Sequence, residues 1–307
     1  MTGAYLLQQI INAVTVSAFY SLLAVAYVLM HGITGRINLT FGALSVWAGY
    51  LTINTALTLM LLNPGQTLLP VAGAILAAIL GTAALGLTIE RLTLRPMIKE
   101  RSLAILTMTL ALAIVLEELM RIMNGSKEIW LMPVLADPVV LGTAGGAILQ
   151  VPLIRLLTMA AAVIVGLAVI ALTERHRFGR IWRAVSQDPR MAELCGIDTR
   201  AVFTISFVSA CGLTAMAGAL SAVHYGAVGY YSGLVIGLKT LFVAVVGGLN
   251  SVTGAFAGAI LLGFIETLWS AYFDADYRDV VALLTLSGLM VLFPAGLFAG
   301  AQRADHR

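Results

Sequence analysis

The chain has 307 residues, 60% of them hydrophobic and only 11% charged, with a mean hydropathy of +0.97. Soluble domains are nearer half apolar and a quarter charged. An aqueous globular fold is therefore excluded, and the length divides into about eight or nine membrane helices of about 20 apolar residues each. A net charge of +3, concentrated in short basic runs between apolar stretches, is the pattern of cytoplasmic loops and points away from nucleic acid. Cys195 and Cys211 define no disulfide framework.

In chain order, no charged residue precedes Arg36, so the amino terminus lacks the basic region of a cleaved signal and the first helix is expected to stay in the protein. Apolar segments follow at 6–30, 38–62, 67–89, 102–121, 153–173, 201–223, 234–249, 255–273 and 280–300. Asn63-Pro64-Gly65-Gln66 is the turn that divides the charge-free run 37–89. The seventh segment holds about sixteen residues before Gly247-Gly248, short for a span. It either crosses fully or forms a half-helix or re-entrant segment shielded from lipid by protein. The expected fold is all-α: one polytopic helical bundle over residues 1–307, with about eight transmembrane helices plus that possible half-helix. Glycine, 30 residues in all, falls largely in the apolar segments, and Gly254-x-x-x-Gly258 opens the eighth, where close backbone approach carries packing in lipid.

With the amino terminus outside and the seventh segment crossing, Arg36, Arg91, Arg95, Lys99, Arg101, the six arginines of 174–200, Arg303 and Arg307 share one side. These are 13 of the 18 Lys and Arg, which makes that side the cytoplasm. Arg121, Lys127, Arg155, Lys239 and Arg278 then face outwards, with the acidic loop 274–279. The outer loop 122–152, with Lys127, Glu128 and Asp137, is the longest exposed surface there.

Residues 174–200 read like a soluble element, with six Arg and four acidic residues in 27 positions. Asp188 suits an N-cap and Pro189 the first helical position, where a missing N–H costs nothing. Gly196 supplies a left-handed residue to end the helix, and Ile197 the apolar contact that often follows. Met191, Leu194 and Cys195, at i, i+3 and i+4, make a small apolar face. So short a helix cannot stand alone in water and needs a surface. Two readings are open: a loop on the membrane interface anchored by Trp182 and the arginines, or a docking knob for a cytosolic partner.

Intramembrane carboxylates of the kind that build proton or sodium relays are few. Glu117 and Glu118 lie near the outer end of the fourth segment, where Glu117 can pair with Arg121, and Glu266 lies in the eighth. Interfacial snorkelling or helix pairing accounts for all three. The stretch 233–240 resembles a phosphate-binding loop but fails, because Leu238 separates Gly237 from Lys239. His31, His176, His224 and His306 show no metal-ligand spacing, and no nucleophile motif occurs. No catalytic residue, metal or bound cofactor is expected of this chain, and any ATP that drives it binds another.

Three stretches resemble the LivH-type permeases of branched-chain amino acid ABC importers, in order along nearly the whole chain. Gly32-Ile-Thr-Gly35-Arg-Ile-Asn38-Leu-Thr-Phe-Gly42 resembles the family's segment ending I-N-F-A-H-G. Trp182-Arg-Ala-Val-Ser-Gln-Asp-Pro189-Arg-Met-Ala-Glu-Leu-Cys-Gly196-Ile197 resembles its cytoplasmic R-A-V-A-x-(D/N)-P-E-A-A-x-L-x-G-I motif. Gly237-Leu-Lys-Thr-Leu-Phe-Val-Ala-Val-Val-Gly247-Gly248-Leu-Asn-Ser251-Val-Thr-Gly254-Ala, running on to Gly263-Phe-Ile-Glu266, resembles its G-L-K-A-F-x-A-A-V-x-G-G-x-G-S-x-x-G-A…G-x-x-E block.

The resemblance implies a bacterial inner-membrane assembly: this chain beside a homologous second permease, two cytosolic ATPases that bind ATP-Mg, and a periplasmic binding protein that delivers substrate. It makes 174–200 a coupling loop, with Trp182, Arg183, Asp188, Pro189, Leu194 and Gly196 as the ATPase-coupling residues. Arg190 and Glu193 reverse the family's charge pair, which can still form but asks for different charges on the ATPase. Thr40-Phe41 replaces the family's Ala-His, which shifts any polar contribution to Asn38 and Thr40 and leaves the solute open among amino acids, amides and urea.

Asn38, Thr40, Gly42 and Asn250 are the candidates for the translocation path, since a helix amino terminus after a glycine break suits a carboxylate; an Asn N-cap at the membrane boundary is the alternative. The loop 122–152 is the candidate docking surface for the binding protein. A self-sufficient channel or secondary carrier, and a membrane-embedded enzyme, are the rival functions.

Overall fold

A computed structural model describes residues 3–63, 65–97, 102–132, 138–144, 147–293 and 296–297. Lys99, Arg101, Asp137, Arg303, His306 and Arg307, part of the expected charge pattern, lie outside the described residues. Helix α1 (Gly3–Thr34) ends where Gly35 turns left-handed, at φ +59°, and its N–H donates to the His31 carbonyl at 2.7 Å. After α2 (Thr40–Leu62), α3 (Leu68–Ile89) runs on through one π turn, Glu90–Leu94, into the short α4 (Arg95–Met97).

Next come α5 (Ser102–Asn124), β1 (Ile129–Trp130), β2 (Pro138–Ala144) and β3 (Ala147–Pro152). Then follow α6 (Leu153–Arg175), α7 (Arg177–Gln187), α8 (Pro189–Leu194) and α9 (Thr199–Tyr225). The chain continues with β4 (Ala227–Val228), α10 (Gly233–Gly247), α11 (Val252–Tyr272) and α12 (Arg278–Leu292).

Among the described residues, eight helical stretches are long and apolar enough to cross a membrane. Helix α10 reaches that length only with the Tyr230–Ser232 turn before it. Both α10 and α12 have 15 residues, about 22 Å of helix against a hydrocarbon core of about 30 Å. The last element is thus shorter than the expected segment 280–300.

Helix α1 is the axis, with every residue from 21 to 30 buried. Helix α11 runs antiparallel along it: the Tyr5 hydroxyl donates to the Ala271 carbonyl at 2.9 Å and that of Ser17 to Ile260 at 3.2 Å. Glycine allows this approach, because a Cβ on Gly263 would collide with Ser17. Helices α10 and α11 meet in the same way, Gly247 against Gly254, with Gly258 over the Val243 carbonyl, so the Gly254-x-x-x-Gly258 stripe packs helices as small residues do in lipid. On the periphery α3, α5 and α6 expose Leu80, Ile114 and Ile164, the outward apolar faces that a lipid solvent requires.

Two small β ribbons lie at the end of the bundle opposite α7 and α8, since α6 connects β3 to α7 along its whole length. Strands β2 and β3 pair antiparallel from Pro138↔Pro152 to Ala144↔Ala147, and β1 pairs with β4 through Ile129↔Val228. The loop 122–152 therefore carries structure that a purely helical reading leaves out; the β-branched runs either side of Gly145-Gly146 are its sequence signal.

Gly263→Leu should overpack the α1–α11 contact at a cost of about 1–3 kcal/mol or more, read as a lower thermal midpoint in detergent. Gly288→Ala, whose added Cβ meets nothing within 4 Å, should not lower the midpoint, since alanine is the better residue inside a helix.

Candidate functional site

Helix α7 packs on the bundle through Gly179, Trp182 and Val185. The Trp182 side chain is buried, its Nε1 donating to the Leu29 carbonyl of α1 at 2.9 Å, and its ring fills the space a side chain at Gly32 would need. It anchors to protein, which replaces the membrane-interface reading of this residue. Arg183 is exposed, donating to the Glu174 carbonyl at 3.3 Å.

Helix α8 has the punctuation its sequence predicts. Asp188 Oδ1 accepts from the N–H groups of Arg190 (2.9 Å) and Met191 (3.0 Å), with Pro189 in the first turn. Gly196 closes the helix at φ +82°, its N–H donating to Glu193 and that of Ile197 to Ala192. Ala192 is buried against Val185 and Val202, with Ile33 and Ile197 beside them. The expected apolar face points the other way: Met191 is 61% exposed and Leu194 82%, with Cys195 exposed beside them. The Arg190/Glu193 pair does not form among the described residues; Glu193 instead accepts from the Thr199 hydroxyl at 2.5 Å.

Towards the ribbon end of the bundle a cavity of about 390 Å³ lies between α1, α2, α9 and α10. Its lining carries an ion cluster, buried at Lys239 and Glu266 and half-exposed at Arg278 and Asp279. The Lys239 ammonium on α10 donates to Glu266 of α11, to Asp279 of α12 at 2.7 Å and to the Tyr20 hydroxyl of α1 at 3.4 Å. Arg278 donates through Nε to the same Asp279 oxygen at 3.2 Å, and Tyr20 donates to Glu266 at 3.3 Å. Lys239 and Glu266 are 2% and 4% exposed, so the expected outward-facing lysine is corrected: it faces into the protein, and Glu266 follows the helix-pairing alternative by joining α11 to α10 through it. Glu117 also departs from expectation. It accepts from the Leu234 N–H at 2.7 Å, capping α10, while Glu118 takes Arg121.

The family profile described as branched-chain amino acid transport system / permease component matches residues 9–291. This chain belongs to that family. The permease is 31% identical over 293 residues to the high-affinity branched-chain amino acid transport system permease protein LivH of Escherichia coli K12, covering 95% of each chain. It is 29% identical over 291 residues to the corresponding BraD protein of Pseudomonas aeruginosa, again over 95% of each. A probable branched-chain amino acid transport permease LivH of Methanocaldococcus jannaschii is 26% identical over 133 residues, 41% of this chain. No solved structure matches it.

The four residues proposed from sequence for the translocation path do not meet at this cavity. Asn38 lines a smaller one, about 90 Å³, with Met30, Ile33 and Phe203, and its Oδ1 accepts from the Thr40 N–H at 2.9 Å. Thr40 donates to the Thr109 carbonyl at 3.3 Å, while a Cβ on Gly42 would collide with Gly233 of α10. Asn250 is exposed in the turn between α10 and α11. From α2 it is Ser45, Val46 and Gly49, one turn further on, that line the larger cavity. The permease residues missed from sequence are Tyr20, Lys239, Glu266, Arg278 and Asp279. The signal was a lysine and a glutamate inside apolar segments, since ionisable groups there face the protein and pair.

Lys239→Met strands Glu266 as a buried unpaired charge, at about 3–5 kcal/mol. The permease should lose thermal stability in detergent accordingly, and Lys239→Met with Glu266→Gln should recover part of the loss. If the single variant were as stable as the wild type, the ion cluster would not be holding these helices.

Proposed function

We propose that the chain is the inner-membrane permease subunit of an ATP-binding-cassette importer for branched-chain amino acids or related small polar solutes. It would form the path with a second homologous permease, driven by two cytosolic ATPases that bind ATP-Mg and fed by a periplasmic binding protein that docks on the loop 122–152. The observation that carries this reading is α8. A six-residue helix is capped at both ends and clamped on its Ala192 side, yet presents Met191 and Leu194 to open space. Large apolar side chains held rigidly in an exposed, basic surround suit a partner's cleft.

Each coupling residue has a part. Asp188, Pro189 and Gly196 set the ends of the knob, Leu194 is its tip, and Arg183 lies exposed on its flank. Trp182 ties α7 to α1, so a pull on the knob reaches the bundle. Arg190 is left free by the Glu193–Thr199 hydrogen bond, which puts a positive charge at the rim and asks for acidic residues on the ATPase. Asn38, Thr40, Gly42 and Asn250 are assigned to the inner half of the path, where Asn38 borders the smaller cavity.

Leu194→Arg or Gly196→Val should leave the permease in the membrane but abolish both ATPase co-purification and solute uptake. Normal ATPase association in either variant would sink the coupling assignment. Solute flux through the purified chain alone in liposomes would make it a channel or carrier instead.

A further inference from the structure

The charges in the larger cavity are only half used. Among the described residues Arg278 makes its hydrogen bond through Nε alone, leaving both terminal nitrogens without one. Asp279 accepts only through Oδ1 and Glu266 only through Oε1, so one oxygen of each carboxylate takes none. All three residues line the cavity, as does Lys239. Two cations and two anions balance there, Lys239 and Glu266 buried and Arg278 and Asp279 half-exposed at the mouth, and buried ionisable groups inside a membrane bundle mark substrate paths. Tyr20, which touches the cluster, sits about halfway along α1, the depth at which membrane transporters hold their solutes. The cavity lining also includes apolar Phe19, Leu23, Val46 and Ile236, and the volume falls within the range of about 300–1,000 Å³ for small-molecule sites.

We propose that this cavity binds a zwitterionic α-amino acid: Arg278 takes its carboxylate through the free guanidinium nitrogens, Asp279 and Glu266 take its ammonium, and the apolar lining takes its side chain. The assignment rests on the reading of the chain as an importer permease and narrows its solute from the wider amino acid, amide and urea class. A zwitterion adds no net charge to a balanced cluster whose inner ions, Lys239 and Glu266, are buried, whereas a solute of one sign would leave an uncompensated charge beside them. A neutral amide or urea would leave the guanidinium or the carboxylates without a charged partner, and sites built to pair a group reject analogues that lack it. Lys239 is the positioning residue, since its ammonium holds both carboxylates in place.

The test uses the assembled transporter in membrane vesicles, with Ser221→Cys on the half-buried part of the cavity wall and Cys195→Ser to remove the exposed thiol. A small water-soluble thiol reagent reports access. Leucine should slow labelling several-fold; leucinamide, which lacks the carboxylate, 4-methylpentanoate, which lacks the ammonium, and urea should not. Arg278→Gln should remove the protection and Arg278→Lys retain part of it. Equal protection by urea, no protection by leucine, or a cysteine that never reacts each overturns the zwitterion site. Wild-type leucine uptake is measured in parallel: uptake without protection overturns the site alone, and loss of uptake overturns the importer reading itself.

Discussion

One ammonium group organises the ribbon-end half of this bundle. In lipid, apolar surfaces gain nothing by leaving the solvent for each other, so helices must be joined by close contact or by polar bonds. The glycine pairs join α1, α10 and α11 by contact. Lys239 adds α12 to them, because its donors end on three different helices. The shortness of α10 and α12 follows the same logic: a helix that begins beside charged groups and a cavity need not reach the headgroups, as irregular backbone is tolerated where protein or water surrounds it. The cost of burying Lys239 and Glu266 is met only while both are present, and with Tyr20 and Asp279 bonded to the same ammonium the cluster ties the positions of four helices to one another.

At the other end the governing constraint is the opposite one. Helix α8 is far too short to persist by its own hydrogen bonds, and its shape is imposed from outside. Asp188 closes the first turn, Gly196 the last, and Ala192 sits against Val185 and Val202. Because Ala192 carries the docking to the bundle, the larger Met191 and Leu194 are left over. A helix whose small residue faces inward and whose large ones face outward is the inverse of an ordinary surface helix, and the partner proposed for its outer side would resolve the inversion.

How much of this was legible in the sequence depended on the range of the interaction. Asp188, Pro189 and Gly196 act on backbone groups within a few residues, and their roles could be read from spacing. The helix segments were legible for a similar reason: length and apolar content decide whether a span forms. Lys239 was different. Its environment depends on how deeply α10 begins, which is set by Gly42 and Ala43 of α2 and by Glu117 of α5, residues more than a hundred positions away. Counting Lys239 among the outer-face charges treated it as a loop residue, and its partners on α11 and α12 could not be found by a periodicity. Glu117 was misassigned in the same way, since a nearby arginine in sequence is a weaker claim on a carboxylate than an uncapped helix end in space. The β1–β4 ribbon was missed because a pairing between residues 129 and 228 has no local trace, whereas the β2–β3 hairpin had one in its flanking valines and isoleucine.

The two halves share α1, and that sharing makes a mechanical connection concrete. Trp182 bonds to Leu29 and Tyr20 to Glu266, nine residues apart on one continuous helix, about 13 Å along its axis. An α-helix transmits axial and rotational displacement over that distance with little loss, because each turn is bonded to the next. The contacts at its two ends are of different kinds. A buried tryptophan wedged beside a glycine moves as a block with its surroundings, whereas an ion cluster can exchange partners with a zwitterionic solute at small net change in energy. A displacement of α7 would therefore arrive at the cavity as a change in the Tyr20–Glu266–Lys239 geometry before it disturbed the apolar packing between α1 and α11. The order follows from stiffness: the glycine contacts leave no room to slide, and the free oxygens and nitrogens of the cluster leave room to regroup.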